Sequence, residues 1–562
     1  MSLFENIDNA RSRAARTKKS KPLPEPDTYQ RVIRDDFRAG LRAMCVDAAP
    51  GSGKTTLLQM LAEIILQDEL LPAGEKAVFL AFNTKIVKAL KKVLPDIFDI
   101  RTVNSLGQLI CKENIEGLLF EPKKYEDLTQ RIVNDLKIPS PAKRRDLHER
   151  LTACTELHVG HNLGLNIPRD EWIEVMIGVD APVLGAEAAL YELTLRVLRQ
   201  GLKMLQDEKI GSFLDQTLAP SVFGWRLAQP YRYLLVDELQ DLDRASLSLL
   251  QAATTPESRI VGVGDQRQSL YSFKGADANA IDHFAELFGA ERRPLSICYR
   301  CPANHVAFAA PYTDNIEPAP QAVDGVLEDI EHDDLLRRAQ IGDLILCREN
   351  APLVAVCYDL VRQGTPALIQ GRDLSRTLVA FARDAATWDG QKVDRTKASD
   401  GLALMEMFEK INTYGEFLYT KMLRRAERDG RPADMQLAGL ADKISVLSLV
   451  LEQGGAQTLG ELIDDIRRLF RGKPEESVVL ATIHGAKGLE ADHIYIVAPE
   501  LLPHPRAKTV QAQEAERCVM LVAFTRARKS LRIVRPQDGE DPGSLIPEAL
   551  VRHDGQLTAQ AS

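Results

Sequence analysis

Short, nearly unbroken apolar runs recur along the chain at residues 44–46, 77–82, 233–236, 259–263, 343–346, 493–497 and 531–534, with amphipathic helical stretches between them. A strand covered on both faces reads as a continuous apolar run, whereas a strand with one wet face alternates. The pattern therefore predicts an α/β fold with parallel sheets and helices on both faces. Two stretches break the rhythm. Residues 110–210 read as charged amphipathic helix, clearest over 144–155 and 186–204, and residues 378–475 are helical again, clearest over 404–414 and 437–451. Structureless loops of that length are uncommon in compact domains, so both are expected to be helical accessory domains inserted into sheet domains. At 562 residues the chain is too long for one core and suits three or four domains. No internal repeat of solenoid period is visible.

Composition narrows the class. The 45% hydrophobic content is ordinary for a globular protein. No segment offers 18 uncharged apolar residues, and the start Met1-Ser2-Leu3-Phe4-Glu5 lacks the apolar stretch of a secretory signal. The expectation is a soluble cytoplasmic protein with no membrane partner. Eight scattered cysteines fit a reducing compartment. Cys298 and Cys301 form a C-x-x-C pair, but no second pair lies near it, which argues against a metal centre. A net charge of -9 excludes a uniformly basic coat for nucleic acid, though not a local positive channel. The basic run Arg11, Arg13, Arg16, Lys18, Lys19 and Lys21 reads either as a solvated arm or as a weak phosphate-backbone contact.

Two motifs carry chemistry. The first, Ala49-Pro50-Gly51-Ser52-Gly53-Lys54-Thr55-Thr56, follows the strand at 44–46. Gly51, Ser52 and Gly53 allow successive backbone N–H groups to point at anionic oxygens, and Thr55 and Thr56 open a helix whose N-terminus adds partial positive charge. Lys54 would reach the β and γ phosphates and the Thr55 hydroxyl would ligate Mg²⁺. The fingerprint G-x-x-x-x-G-K-[ST] is met except at its first position, Ala48. In the second motif, Leu235-Val236-Asp237-Glu238-Leu239-Gln240-Asp241, a buried strand ends in two acids. Asp237 would hold Mg²⁺ and Glu238 would orient and deprotonate the attacking water. The pair implies an ATP hydrolase with ATP and Mg²⁺ as cofactors.

The order of these and further motifs resembles the UvrD/Rep/PcrA group of superfamily 1 DNA helicases through essentially all of the core. The family's D-E-A-Q-D stands here as Asp237-Glu238-Leu239-Gln240-Asp241. After it come Val263 to Ala276, Leu295 with Cys298-Tyr299-Arg300, Thr482 to Glu490 (T-I-H-G-A-K-G-L-E), and Glu516-Arg517 leading to Val522 to Arg528. The resemblance implies two RecA-like parallel-sheet motor domains with two mostly helical accessory insertions. Residues 1–109 and 211–290 would form the first motor domain and 110–210 its insertion. Residues 291–377 and 476–562 would form the second motor domain and 378–475 its shortened insertion.

The resemblance also implies roles. Gln30 would read the adenine edge, Tyr299 would stack on the base and Glu490 would accept a hydrogen bond from the ribose. Gln268 would contact the γ phosphate and the attacking water, with Arg300 and Arg526 reaching the same phosphate as ATP draws the two motor domains together. Single-stranded DNA would run over Phe82, Asn83, Lys85, Thr102, Asn104, Phe273, Lys274, His484 and Lys487. The bland alternatives are that Phe273 is a core residue and His484 an ordinary polar cap. Asn104 replaces the histidine of the family's T-x-H, and Leu521 stands where relatives often carry tyrosine. The implied activity is 3′ to 5′ movement on single-stranded DNA, with strand separation at single/double-strand junctions. The alternative is an ATPase or remodelling subunit that needs a protein partner and unwinds little alone.

Overall fold

The computed structural model describes residues 23–81, 84–139, 141–178, 181, 183, 186–268, 279–390, 393, 402–429, 434–536 and 543–553. The chain divides into two compact units, Met1–Ser296 and Ile297–Ser562. Each is built on a six-stranded sheet in which neighbouring strands run parallel.

In the first unit the strands are β1 (Ala43–Ala48), β2 (Lys76–Leu80), β3 (Phe98–Arg101), β4 (Tyr231–Val236), β5 (Arg259–Gly264) and β6 (Glu291–Leu295). Their order is β3-β2-β4-β5-β1-β6. Met44, Val46, Phe79 and Leu235 pack on one face with helix Lys54–Gln67, while Cys45, Val78, Leu234 and Val236 face a second apolar layer with Leu247, Leu250 and Phe284. Two-sided burial is what the continuous apolar runs required. Strand β6 moves one boundary: Met44 to Ala48 of β1 register with Glu291 to Leu295, so the first sheet runs past residue 290.

The helical insertion of this unit contains helices Lys124–Asp135, Pro141–Gly160, Arg169–Gly178 and Glu187–Asp207 around a core centred on Trp172. Its base is fastened by a two-residue parallel pair, Leu119–Phe120 with Ile210–Gly211. A buried polar knot ties it further. Lys124 Nζ donates to Asp215 Oδ2 at 2.7 Å and to the Ile210 carbonyl at 2.9 Å, while Tyr125 Oη donates to Asp215 Oδ1 at 2.8 Å. Gly201 is small because the Tyr125 ring lies where its Cβ would stand, 2.5 Å away.

The second unit holds β7 (Val326–Ile330), β8 (Leu344–Cys347), β9 (Ala367–Ile369), β10 (Val478–Thr482), β11 (Ala491–Ile496) and β12 (Ala527–Val534), ordered β7-β12-β11-β8-β10-β9. Its insertion starts with helix Arg372–Thr387, slightly before 378, and continues with Leu404–Asp429, Asp434–Gly454 and Leu459–Leu469. These helices share one apolar core with the sheet, since Met407, Ile411, Leu447 and Val450 belong to the same cluster as Ile345, Leu480 and Tyr495. The Asp442 carboxylate on the inserted helix accepts from the backbone N–H groups of Asn350 and Ala351 at 3.0 and 2.8 Å, capping helix Ala351–Arg362. No helix among the described residues is long and apolar enough to cross a membrane.

Candidate nucleotide site and nucleic-acid contacts

The turn after β1 is shaped by its glycines. Gly51 has φ 70° and Gly53 φ 81°, conformations that L side chains adopt only with strain. Gly53 begins helix Lys54–Gln67 without any side-chain cap, so the first helical N–H groups receive no side-chain acceptor. Such a terminus favours an anion by dipole and by hydrogen bonding. The Ser52 hydroxyl is buried with no hydrogen-bond partner, as expected of a loop shaped to close on an oxygen-rich ligand. A triphosphate therefore fits the residues present.

Gln30 lies beside this loop, its Nε2 3.7 Å from where a Cβ on Gly53 would sit. Its amide oxygen accepts from the Asp27 backbone N–H at 3.1 Å, and Asp27 Oδ1 accepts from Gln30 N at 2.8 Å. This capping box fixes the entry of helix Thr28–Arg38 and the orientation of the amide.

The ends of β1, β4 and β5 bring three buried or half-buried carboxylates, Asp47, Asp237 and Asp265, into the field of Lys54. Burial raises all three from the usual carboxylate range. Asp237 is pushed up to about 6 by burial and then by Glu238, and Asp265 to about 6 by burial, with Lys54 opposing both. Thr55 Oγ1 donates to Asp237 Oδ2 at 2.7 Å. Oxygen donors suit Mg²⁺, and among the described residues no group of three or more His, Cys, Asp and Glu could hold a metal ion. An ion at Thr55 and Asp237 would complete its shell from phosphate oxygens and water.

Three residues here escaped the sequence reading. Glu238 stands in a left-handed conformation, φ 54°, and Gln240 Nε2 donates to its Oε2 at 2.6 Å. The Gln240 Oε1 accepts from Asp265 N at 2.9 Å. Asp265 in turn accepts from Gln268 Nε2 at 2.7 Å and from the Arg267 backbone N–H at 3.1 Å. One continuous chain of hydrogen bonds thus runs from Glu238 through Gln240 and Asp265 to Gln268. Gly264 makes room for it, because a Cβ there would lie 2.7 Å from Gln240 Oε1. The signal was present in the sequence as Gly264-Asp265 and as the glutamine two places after Glu238. Asp47, at the end of β1, is the third.

In the second unit, Tyr299 is half exposed. Arg300 Nε donates to Glu490 Oε2 at 2.6 Å and its Nη1 to the Thr525 carbonyl at 3.1 Å. Glu490 also accepts from Arg528 Nη1 at 3.1 Å. Arg526 is turned inward: its Nε donates to the Val522 carbonyl at 2.9 Å and its Nη1 to the Leu489 carbonyl at 3.4 Å, leaving 1% of the residue exposed. Arg348 grips Glu516 through Nε and Nη2, at 3.1 and 2.7 Å, and ties the end of β8 to helix Val510–Phe524.

The proposed DNA contacts separate into groups. His484 and Lys487 stand half-buried in the turns after β10. Thr102 Oγ1 accepts from Ser105 N at 3.2 Å and so caps helix Val103–Asn114, while Asn104 is exposed on its first turn. Lys85 falls in helix Thr84–Val93. Phe82, Asn83, Phe273 and Lys274 lie outside the described residues, as does the basic segment before residue 23.

Comparison with known proteins agrees with this layout. Residues 38–274 match the model of an AAA domain and residues 437–537 that of the UvrD-like helicase C-terminal domain. A stretch of 71 residues is 34% identical to the putative ATP-dependent DNA helicase YjcD of Bacillus subtilis, covering 12% of this chain and 9% of that protein. Over 285 residues the chain is 24% identical to the RecBCD enzyme subunit RecB of Mycolicibacterium smegmatis, covering 48% of this chain and 25% of that protein. Over 183 residues it is 24% identical to the ATP-dependent DNA helicase PcrA of Staphylococcus epidermidis, covering 32% of this chain and 20% of that protein. The matched stretches thus span a quarter or less of these relatives' own length.

Proposed function

Since the chain belongs to the UvrD/PcrA-like superfamily 1 DNA helicase family, we propose that it hydrolyses ATP to move on single-stranded DNA, 3′ to 5′, and separates strands at single/double-strand junctions. The observation that carries the reading is the side-chain-uncapped helix terminus at Gly53, with Lys54 and Thr55 facing Asp237. In this reading the loop 51–54 binds the phosphates, and Gln30 orients the base with Tyr299 stacking on it. Mg²⁺, held by Thr55 and Asp237, would neutralise phosphate charge. Glu238 takes the proton of the attacking water, and Gln268 senses the γ phosphate through the chain that ends on Glu238. Arg300 and Arg526 are proposed as the γ-phosphate arginines and Glu490 as the ribose acceptor. Arg526 would have to exchange its carbonyl partners for phosphate oxygens to act.

The test is unwinding of duplexes with 3′ or 5′ overhangs by the wild type, Lys54→Ala and Glu238→Gln. Both variants are expected to fail to unwind, with Glu238→Gln still binding ATP. Vigorous hydrolysis by Glu238→Gln refutes the assigned base. A second reading, a partner-dependent remodelling ATPase, draws support from the second insertion, which is stitched into its own sheet through Asp442 and a common core. Single-strand-stimulated hydrolysis without unwinding of either overhang substrate would favour it.

A further inference from the structure

The C-x-x-C pair has no part in the chemistry above, yet its placement is specific. Cys298 ends the short strand Ile297–Cys298, the chain bends through residues 299–301, and helix Ala303–Ala309 begins directly after. Both thiols are free and buried in one small apolar cluster with Val306. The Cys301 thiol is hydrogen-bonded to the Cys298 sulfur, which also accepts from the backbone N–H groups of Cys301 and Arg300. These donors and the Arg300 charge hold the Cys298 thiol below its ordinary value. Burial pushes Cys45, Cys111, Cys154, Cys347 and Cys357 up to about 12. The two residues between the thiols are Tyr299 and Arg300, and Arg300 is fastened to Glu490 and to the Thr525 carbonyl.

We propose that Cys298 and Cys301 form a reversible oxidation site whose closure to a disulfide displaces Arg300 and slows nucleotide turnover. The effect on turnover rests on the function proposed above, whereas the closure itself does not. With hydrogen peroxide as oxidant, the Cys298 thiolate attacks one peroxide oxygen, the O–O bond breaks, and hydroxide leaves to become water, giving a sulfenic acid. The Cys301 sulfur then attacks that sulfur and releases its proton, and the hydroxyl departs as the second water. Two thiols lose two electrons and two protons, and one peroxide becomes two waters. A covalent bond between sulfurs that now meet through a proton draws the ends of the Tyr299-Arg300 step together. Misplacing a catalytic group by about 1 Å costs on the order of 10²-fold in rate, so a fall of that order is expected.

The experiment treats the full-length protein with peroxide, blocks remaining thiols by alkylation and maps the peptides by mass. Expected is a loss of about 2 Da on the peptide carrying both cysteines, as two hydrogens leave. Single-strand-stimulated ATP turnover should fall roughly 10²-fold and return with dithiothreitol. Cys298→Ser and Cys301→Ser should each keep turnover under peroxide, and Cys301→Ser should leave a sulfenic acid on Cys298 that dimedone captures. Peroxide that consumes the half-exposed Cys518 and leaves this pair alkylatable overturns the site. A closed pair with unchanged turnover overturns the link to Arg300. An untreated protein without turnover refutes the hydrolase reading, while the mass shift still reports on the pair.

Discussion

Replacing Gln240 with methionine removes the amide that joins Glu238 to Asp265 while keeping a side chain of similar length. Two bonds disappear, one from Gln240 Nε2 to Glu238 Oε2 at 2.6 Å and one from Asp265 N to Gln240 Oε1 at 2.9 Å. Gln240 is 1% exposed and Asp265 4%, so the backbone N–H loses its partner away from water. An orphaned buried donor costs about 1–3 kcal/mol, and the apolar methionine offsets part of that, leaving a net loss of about 1–2 kcal/mol. The bond to the Glu238 carboxylate is charge-assisted and fixes a residue whose backbone is already left-handed. Without it the proposed base is no longer aimed, and a displacement near 1 Å lowers kcat by about 10–10²-fold. KM for ATP should hardly move, because the hydrogen bonds of the Gln240 amide go to Glu238 and Asp265. The assay is single-strand-stimulated ATP hydrolysis with urea denaturation of the same preparations. Turnover within twofold of wild type, alongside the expected stability loss, refutes the aiming role of Gln240.

Three further outcomes follow from other contacts. Asp215→Ala strands the Lys124 ammonium, which is fully buried, together with the Tyr125 hydroxyl and the Ser212 backbone N–H, and should cost about 3–5 kcal/mol in urea or thermal denaturation. The folded pKa of Asp237 is raised to about 6, so the nucleotide-free protein holds extra protons between the unfolded value of 3.8 and that point. That term favours the folded state below the unfolded value and is lost as pH rises through 6. Mg²⁺-ATP binding should accordingly release about half a proton at pH 6, detected by calorimetry in buffers of different ionisation heat, and equal heats would contradict it. Gly264→Ala pushes a methyl to within 2.7 Å of Gln240 Oε1 and should lower both stability, by about 1–3 kcal/mol, and turnover; Gly289→Ala, where no atom lies near, is the strained-glycine control that should spare turnover.

Among the described residues, seven of the eight strands paired on both sides were legible because parallel strands bury both faces and leave unbroken apolar runs; β10, paired with β8 and β9, was not singled out although Val478 to Ala481 form such a run. Strand β6 was not: as an edge strand it reads Glu-Arg-Arg-Pro-Leu, mostly outside the core, and a proline is tolerated there. The turn at 51–53 was legible because Gly51 and Gly53 answer one local demand, a left-handed backbone before a helix start. The Gln240 relay and the Lys124–Asp215 pair were not, since each depends on partners 25 and 91 residues apart that only the fold brings together. Thr102 shows a third case. Its hydroxyl, read as a DNA contact, also caps a helix, a use that spacing alone did not reveal.

Asp442 and the apolar layer around Leu447 leave the second insertion without a detachable seam. Trimming residues 378–475 to obtain a minimal engine would strip the lid from Ile345 and Leu480 and bare the start of helix Ala351–Arg362, inviting clumping of the product. Anyone shortening this chain should graft a replacement cover, or leave that region whole.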